Sequence, residues 1–583
     1  MPTSLVETNS LLAVDVGASA TRAVLFDVVE GRYRFIAVGQ APSTAEAPFK
    51  DIGLGVRAAI EHLQTVTGRS FLGAERNLIM PTQADGNGVD MFAATLSAGP
   101  TLKTAVAGLL SDVSVQSARR LAETTYARVV ETFGLHDHRK PEEQIDSLLR
   151  VRPDLVILTG GTDGGASRAV QKVIEAVGLA CYLLPSDKRP AVLFAGNQNM
   201  TDEVQNLVGK LTPALHFSPN VRPSLETEDL DPAMRELAQV FAVIRKRQVK
   251  GVDELETWSG GHVLPTAYGL GRMIRFLERT GSSGGVLGVD LGASAVTVAA
   301  AVNGRFRLGV YPQFGQGEHL GNLLQLTELD DILEWLSLDI HQNLVRDYLY
   351  QKALYPAVLP ATREDQAIAQ AVARRSLYLA MRTARREFPP QARAVRADLM
   401  PPFGLILAGG GPLGDAPTPG QSLLLLLDAV QPVGITHVML DRNSLLPLLG
   451  VAAEKNNLLP VHVLESGALQ NLGTVVSAVS GAGYGTPIVR ARIQYADGNE
   501  ARAEVKLGGL EILPLGLGQS AKLFLQPLHR TDVGNGPGRA WNGVVNGGAL
   551  GVVIDARGRP LTLTADPVRR RELMKKWQWT LGG

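Results

Sequence analysis

VDVGASA, residues 14–20, returns almost letter for letter as VDLGASA, residues 289–295, and each copy interrupts a run of apolar, β-prone residues at a glycine. The likeness spreads outward from both copies. LLAVDVGASATRAVLF is followed by GRYRF (31–35), and GVLGVDLGASAVTVAAAV by GRFRL (304–308). Each reads as a strand, a tight turn, a second strand, a polar reversal and a third strand. Farther on, LVILTGGTDGG (155–165) and GLILAGGGPLG (404–414) are strands running into glycines, followed by the buried strands AVLFAGN (191–197) and THVMLD (436–441). The repeated order predicts two similar halves, each presenting a carboxylate and a backbone turn to something shared between them.

Bulk properties narrow the function classes. A chain of 583 residues exceeds what one hydrophobic core serves, so roughly three or four domains are expected. Lys plus Arg and Asp plus Glu balance at 57 each, which leaves no field to gather nucleic acid or an anionic membrane. Cys181 is the only cysteine, excluding an intramolecular disulfide and a cysteine-rich metal site. MPTSLVETNS lacks the basic start and apolar stretch of a secretion signal. The longest apolar segments carry Asp15, Asp290 or Asp428, and none is a convincing span of about 20 apolar residues. A cytoplasmic protein is expected.

Periodicity divides the chain. Residues 11–40 read as a three-stranded meander, and GLGVRAAIEHLQTVTG (53–68) spaces its apolar residues as one face of a helix. NLIMPT (77–82) and VDMFAATLS read as strands, and TLKTAVAGLLSDVSVQSARRLAETTYARVVETF as helical in period. Strands then alternate with helices, the pattern of an α/β layer. The second half repeats it, with helices through DDILEWLSLDIHQNLVRDYL and DQAIAQAVARRSLYLAMRTARREF. The expected boundaries are a first lobe over 1–215, a helical insertion or linker over 216–283, a second lobe over 284–483, and a C-terminal β domain over 484–583. That last domain ends in a helix started by Pro567 after an Asp566 cap.

The chemistry of the motifs favours a polyphosphate. An Asp ending a strand, followed by Gly and small hydroxylated residues, lets amide hydrogens face phosphate oxygens, with Ser19, Thr21 and Ser294 as hydroxyl donors. Asp15 and Asp290 are the candidate catalytic and metal-binding carboxylates, since Mg²⁺ keeps several waters and takes one or two carboxylates plus phosphate. A plain hairpin that needs Gly17 or Gly292 and is capped by Asp is the bland alternative. Gly409, Gly410 and Gly411, after a buried strand, permit close backbone approach to an adenosine or phosphate. Gly160, Gly161, Gly164 and Gly165 read as their counterpart in the first half, or as a ligand or partner contact. Gly315 and Gly317, in FGQGEHLGNLL (314–324), are a further phosphate candidate. No Walker A, GxSxG or HExxH sequence occurs. His136 and His138 read as solvated loop, Cys181 as core, and Glu318 with His319 as a helix cap or a pair that orients a water.

With the paired hairpins and the later strand-GGG in hand, the order resembles the actin, heat-shock-chaperone and sugar-kinase superfamily. Residues 14–21 look like its first phosphate motif, 289–294 like its second, and 405–411 like its adenosine motif. More narrowly, GRYRFIAVGQAPSTAEAP followed by DIGLGVRAAIEHLQTVTGR, together with VILTGGTDGG, is similar to the glutamate mutase accessory family called MutL or GlmL, unrelated to mismatch repair. The resemblance covers roughly residues 10–480. It implies an α/β fold of two duplicated actin-like (ribonuclease H-like) lobes around a nucleotide cleft, with a small C-terminal all-β domain. It also implies ATP and Mg²⁺ as ligands, a chaperone-like reactivating role, slow ATP hydrolysis, and an adenosylcobalamin-dependent mutase subunit as partner. Asp15 and Gly17 would serve the first phosphate turn, Asp290 and Gly292 the second, and Gly409 to Gly411 the adenosine. Ala18 and Ala20 remove hydroxyls from the first turn, and Arg22 stands near where such turns often carry Lys, which counts against rapid hydrolysis. A small-molecule kinase and a non-catalytic assembly protein with a degenerate cleft remain the alternatives.

Overall fold

The computed structural model describes residues 9–134, 137–165, 167–281 and 284–582; His136 lies outside them. The first meander is β1 (Leu11–Val16), β2 (Ala20–Val29) and β3 (Arg32–Pro42), and β4 (Met91–Leu96) runs parallel to β1. All six residues of β1 are buried, so its sequence is continuously apolar apart from Asp15. Helix Ile52–Thr67 covers this sheet, capped by Asp51, which accepts from the Gly53 amide, and closed by Gly68 in the left-handed region (φ 69°).

After β4 the chain departs. β5 (Leu102–Ala107), β6 (Ala127–Phe133), β7 (Leu155–Leu158), β8 (Ala191–Phe194) and β9 (Leu215–Phe217) form a separate parallel sheet in the order β6-β5-β7-β8-β9. Helices Asp231–Gln248 and Val252–Ser259 follow, and only then does β10 (Val263–Pro265) return to pair in parallel with β4. In the second half β11 (Val286–Leu291), β12 (Val296–Val302) and β13 (Arg305–Tyr311) repeat the meander, with β14 (Leu405–Gly409) and β15 (Gly434–Asp441) parallel to β11. The order β13-β12-β11-β14-β15 matches β3-β2-β1-β4-β10, strand directions included. The protein is therefore α/β with two duplicated actin-like, ribonuclease H-like lobes.

The pairing corrects how the halves correspond. The counterparts of β14 and β15 are β4 and β10, whereas the strands of LVILTGGTDGG and AVLFAGN are β7 and β8 of the inserted sheet. Parallel strands covered on both faces all read as short apolar runs, so strands of the insertion imitate strands of the lobe. The segment read as helical over 101–133 holds β5 and β6 around helix Gln116–Ala122. There the β-branched Thr104, Val106, Val129, Val130 and Thr132 favour strands once parallel partners exist. NLIMPT makes only an isolated bridge, Leu72 to Leu78. The stretch 216–283, expected as an insertion or linker, supplies β10 and helix Thr266–Arg279; the excursion runs instead from the end of β4 to β10.

The tail is also distributed. After β16 (Gln470–Ser477) come β17 (Pro487–Gln494), β18 (Glu500–Lys506), β19 (Leu510–Leu513), β20 (Ser520–Pro527), β21 (Trp541–Asn546) and β22 (Val552–Asp555). β18-β17-β20-β21 form a small antiparallel sheet, but β16, β22 and β19 extend the second lobe's sheet to eight strands, so a boundary at 483 divides that sheet. Buried charges fasten the junction: Arg557 and Arg559 donate to Asp555 at 2.9 and 2.6 Å, and Arg557 and Arg374 donate to Asp428 at 2.6 and 2.8 Å. Helix Pro567–Thr580 follows Asp566, whose side chain accepts from the Val568 amide. Among the described residues no helix is long and apolar enough to cross a membrane.

The lobes meet through equivalent helices. Thr266–Arg279 follows β10 and Leu445–Ala452 follows β15, and they touch backbone to backbone. A Cβ on Gly450 would stand 2.0 Å from the Gly269 carbonyl oxygen, and one on Gly269 would stand 2.3 Å from that of Pro447. Leu445, Leu448 and Leu449 join the hydrophobic core of the first lobe. Because the obstructing atoms are backbone, Gly450→Ala is expected to cost at least about 1–3 kcal/mol, seen as a lowered thermal midpoint. Gly481→Ala, with nothing within 4 Å, should leave the midpoint unchanged; equal midpoints for both variants would contradict the packing described.

Candidate functional site

The two hairpin tips are built alike. The Gly17 amide donates to the Ala20 carbonyl at 3.0 Å, and the Gly292 amide to the Ala295 carbonyl at 3.0 Å. A Cβ would lie 2.9 Å from the Ala20 oxygen at Gly17 and 3.1 Å from the Ala295 oxygen at Gly292. Glycine is required for this close approach rather than for a left-handed backbone. Strand register then fixes Asp15 opposite Arg22, and Asp290 opposite Thr297.

Both tips face one cavity between the lobes. Asp15, Gly17 and Ser19 line one side and Asp290, Gly292, Gly410 and Gly411 the other, around about 1100 Å³ of non-protein space. Ala18 and Ala293 also line it, and among the described residues their backbone amides donate to no protein acceptor. A change in the angle between the lobes would widen or narrow this space. That motion would break the bond from Ser19 Oγ to the Pro356 carbonyl, 2.9 Å long, which ties the first hairpin to the second lobe.

Other sequence-derived candidates lie elsewhere. Thr21 Oγ1 is buried without a hydrogen-bond partner and faces helix Ile52–Thr67, where a Cβ on Gly55 would stand 3.3 Å away. Gly315 and Gly317 leave room for the second hairpin, since a Cβ on either would stand 2.5 or 3.0 Å from the Ala293 oxygen. Gly409 makes room for a carboxylate: its Cβ would lie 3.4 Å from Asp290 Oδ1. Ser294 lines a separate small cavity. Gly160, Gly161, Gly164 and Gly165 follow β7 in the inserted sheet, where Asp163 accepts from Asn220 Nδ2 at 3.0 Å.

The two aspartates differ in their surroundings. Asp15 Oδ1 accepts from Thr95 Oγ1 at 2.7 Å and from Thr266 Oγ1 at 2.9 Å. Asp290 has no hydrogen-bond donor among the described residues; burial, then the Asp15 and Asp441 carboxylates, push its pKa up to about 7 against the pull of Arg22. Asp441 caps helix Leu445–Ala452, accepting from the Leu445 and Leu446 amides at 2.9 and 2.7 Å. Two cations complete the walls. Arg22 reaches within 3.9 Å of Asp415 in the other lobe. Lys352 donates to the Pro356 and Val358 carbonyls at 2.8 and 2.5 Å, and burial pushes its ammonium down to about 8.

Thr95, Thr266 and Lys352 escape a reading of the sequence. Thr95 closes a strand beside β1, a hint available only once that pairing is known; Thr266 ends the stretch SGGHVLPT, which reads as a loop, and Lys352 lies just past the helical run 330–349. Among the described residues, no group of three or more His, Cys, Asp or Glu side chains could hold a metal ion. The donor set instead suits a hydrated cation: two carboxylates on opposite walls, one of them without a protein partner.

Comparison with known proteins identifies relatives. The MutL protein family model matches residues 11–467, from the start of β1 to just before β16. Protein MutL of Clostridium tetanomorphum is 25% identical over 301 residues, which is 51% of this chain and 58% of that protein, so the chain spans little more than half of that relative. Solved structures with likeness include nucleotide-free acetone carboxylase, at TM-score 0.30 and 12% identity over 85% of this chain and 81% of that one. A second is the diol dehydratase-reactivating factor in nucleotide-free form, at TM-score 0.30 and 10% identity over 79% of this chain and 100% of that one. A third is the ethanolamine utilization protein EutJ of Carboxydothermus hydrogenoformans, at TM-score 0.27 and 10% identity over 77% and 91%. With a family match that spans both lobes and the hairpins between them, the chain belongs to the MutL protein family.

Proposed function

We propose that the chain binds ATP with Mg²⁺ between its lobes, hydrolyses it slowly, and passes the resulting change of lobe angle to an adenosylcobalamin-dependent mutase such as glutamate mutase, as an accessory or reactivating protein. The observation that carries the reading is the pair of matched hairpins facing one cavity, each with a carboxylate behind the glycine and an unengaged amide at the tip. The amides of Ala18 and Ala293 suit phosphate oxygens. Asp15 and Asp290 would hold Mg²⁺ through its water shell, and the ion would supply charge neutralisation at the phosphates. Arg22 and Lys352 add positive charge on the same walls. Family membership supports the mutase as partner.

Lobe closure supplies the coupling. Ser19 and Arg22 belong to the first lobe, and Pro356, Lys352 and Asp415 to the second, so a ligand that draws on these groups alters bonds between lobes. To move a population from 1:99 to 99:1, ATP and ADP must differ by about 5.5 kcal/mol in their preference for the two angles. A second reading, a nucleotide-binding assembly protein without turnover, is favoured by Thr21 facing away and Ser19 being engaged with Pro356.

Titration calorimetry with ATP·Mg²⁺ is expected to show binding by the native chain and a loss of at least about tenfold, or 1.4 kcal/mol, in Asp15→Ala and in Asp290→Ala. Thr21→Val should bind as the native chain does; unchanged affinity in both aspartate variants would sink the site. Asp290 also makes a stability prediction without any ligand. Its folded-state pKa stands at about 7 against an ordinary 3.8, so the unfolded chain releases the proton first. Stability then falls as pH rises between those values, and the ionisation penalty is complete above about 7. Asp290→Asn should therefore raise the thermal midpoint of the metal-free chain at pH 8 and leave it nearly unchanged at pH 4. The partner is tested by size-exclusion chromatography with a purified cobalamin-dependent mutase, where ATP and ADP are expected to give different co-elution. Identical profiles with either nucleotide would separate the ligand from the proposed task.

A further inference from the structure

A second cavity lies beyond the hairpin tips. It shares Ala18, Ser97 and Ala293 with the nucleotide cleft, so little more than the tips divides the two spaces. Polar side chains in its walls are Glu46, Thr101 and Tyr126 from the first lobe's side, and Ser294, Glu318 and His319 from the second. Thr101 Oγ1 and His319 Nε2 are 2.9 Å apart. The space amounts to about 390 Å³, a small side chamber with room for water.

One group calls for that water. Ser294 Oγ, without a hydrogen-bond partner, is closed off from any water-sized space, which leaves Glu46 as the polar group free to meet it. The Glu46 carboxylate accepts no hydrogen bond from any described residue. Burial and the Glu318 carboxylate raise its pKa, while Arg245 opposes the rise. His319, whose basicity burial lowers, is neutral at pH 7 and fixed by Thr101, so it orients rather than charges the chamber.

We infer that this chamber holds the water that attacks the terminal phosphate, and that Glu46 takes its proton. The inference rests on the nucleotide reading above and adds to it the missing base. The water oxygen forms a bond to the γ-phosphorus, and the bond to the β–γ bridging oxygen breaks with its electron pair leaving on ADP. The water proton passes to Glu46 and from there to solvent. Because Glu46 lies on the loop after β3 and Ser294 on the opposite hairpin, the chamber is complete only with the lobes closed. Hydrolysis is thereby tied to closure.

Glu46→Gln keeps the shape of the side chain and removes the base. Calorimetric titration with ATP·Mg²⁺ is expected to give the native affinity, which also reports that the variant is folded, while single-turnover hydrolysis falls by about 10²-fold or more. Glu142→Gln, altering an exposed carboxylate on the inserted sheet's helix Pro141–Val151, should leave the rate unchanged. Native binding with a native hydrolysis rate in Glu46→Gln overturns the chamber and leaves the nucleotide reading standing. Binding without turnover by the native chain overturns the chamber in the same way. Failure of the native chain to bind ATP overturns both.

Discussion

The backbone contact between Gly269 and Gly450 sets the position of everything in the cleft. Two helices that follow the matching strands β10 and β15 cross at that point, with no side chain between them. Their approach fixes where β1 and β11 end relative to one another, and hence that Asp15 and Asp290 share one cavity. Burying two carboxylates together is unfavourable in itself. The protein answers it unequally: Asp15 is held by two threonine hydroxyls, whereas Asp290 is left without a donor and with a raised pKa. A cleft under that strain is poised for a cation.

Contacts across the cleft are few and polar. Ser19 to Pro356 and Arg22 to Asp415 join the lobes at its mouth, and Lys352 holds the same Pro356 carbonyl from its own side. Away from the mouth the lobes share an apolar core around Leu445, Leu448 and Leu449. An apolar axle with a polar, breakable rim is the arrangement in which small ligand energies change an angle without unfolding either body.

Much of this architecture was legible in the residues, because a duplicated motif carries its own control. The two GAS tips, the meanders around them and helix 52–67 follow from local pattern, and their geometry matches to a tenth of an ångström in the hydrogen bond that closes each turn. What was not legible depended on pairing at a distance. Nothing local distinguishes β7 of the insertion from β4 of the lobe, since both are short apolar strands covered on two faces. Thr21 illustrates the same limit on a smaller scale: its position beside the turn suggested a phosphate donor, but strand alternation turns its hydroxyl toward helix 52–67. Lys352 reaches the cleft from the last turn of a helix whose sequence shows only spacing, Thr266 ends a stretch that reads as loop, and β10, three residues long, is too short to announce itself.

The eight-stranded sheet carries a consequence for synthesis. Among the described residues β19 pairs only with β22, and β22 inserts between β16 and β19, so an earlier strand waits for a later one. The second lobe cannot complete its sheet, nor Asp428 its two arginines, until the ribosome has delivered Asp555 and then Arg557, 129 residues after Asp428. With translation advancing at about 5–20 residues per second, the first lobe has tens of seconds to fold before its counterpart can close.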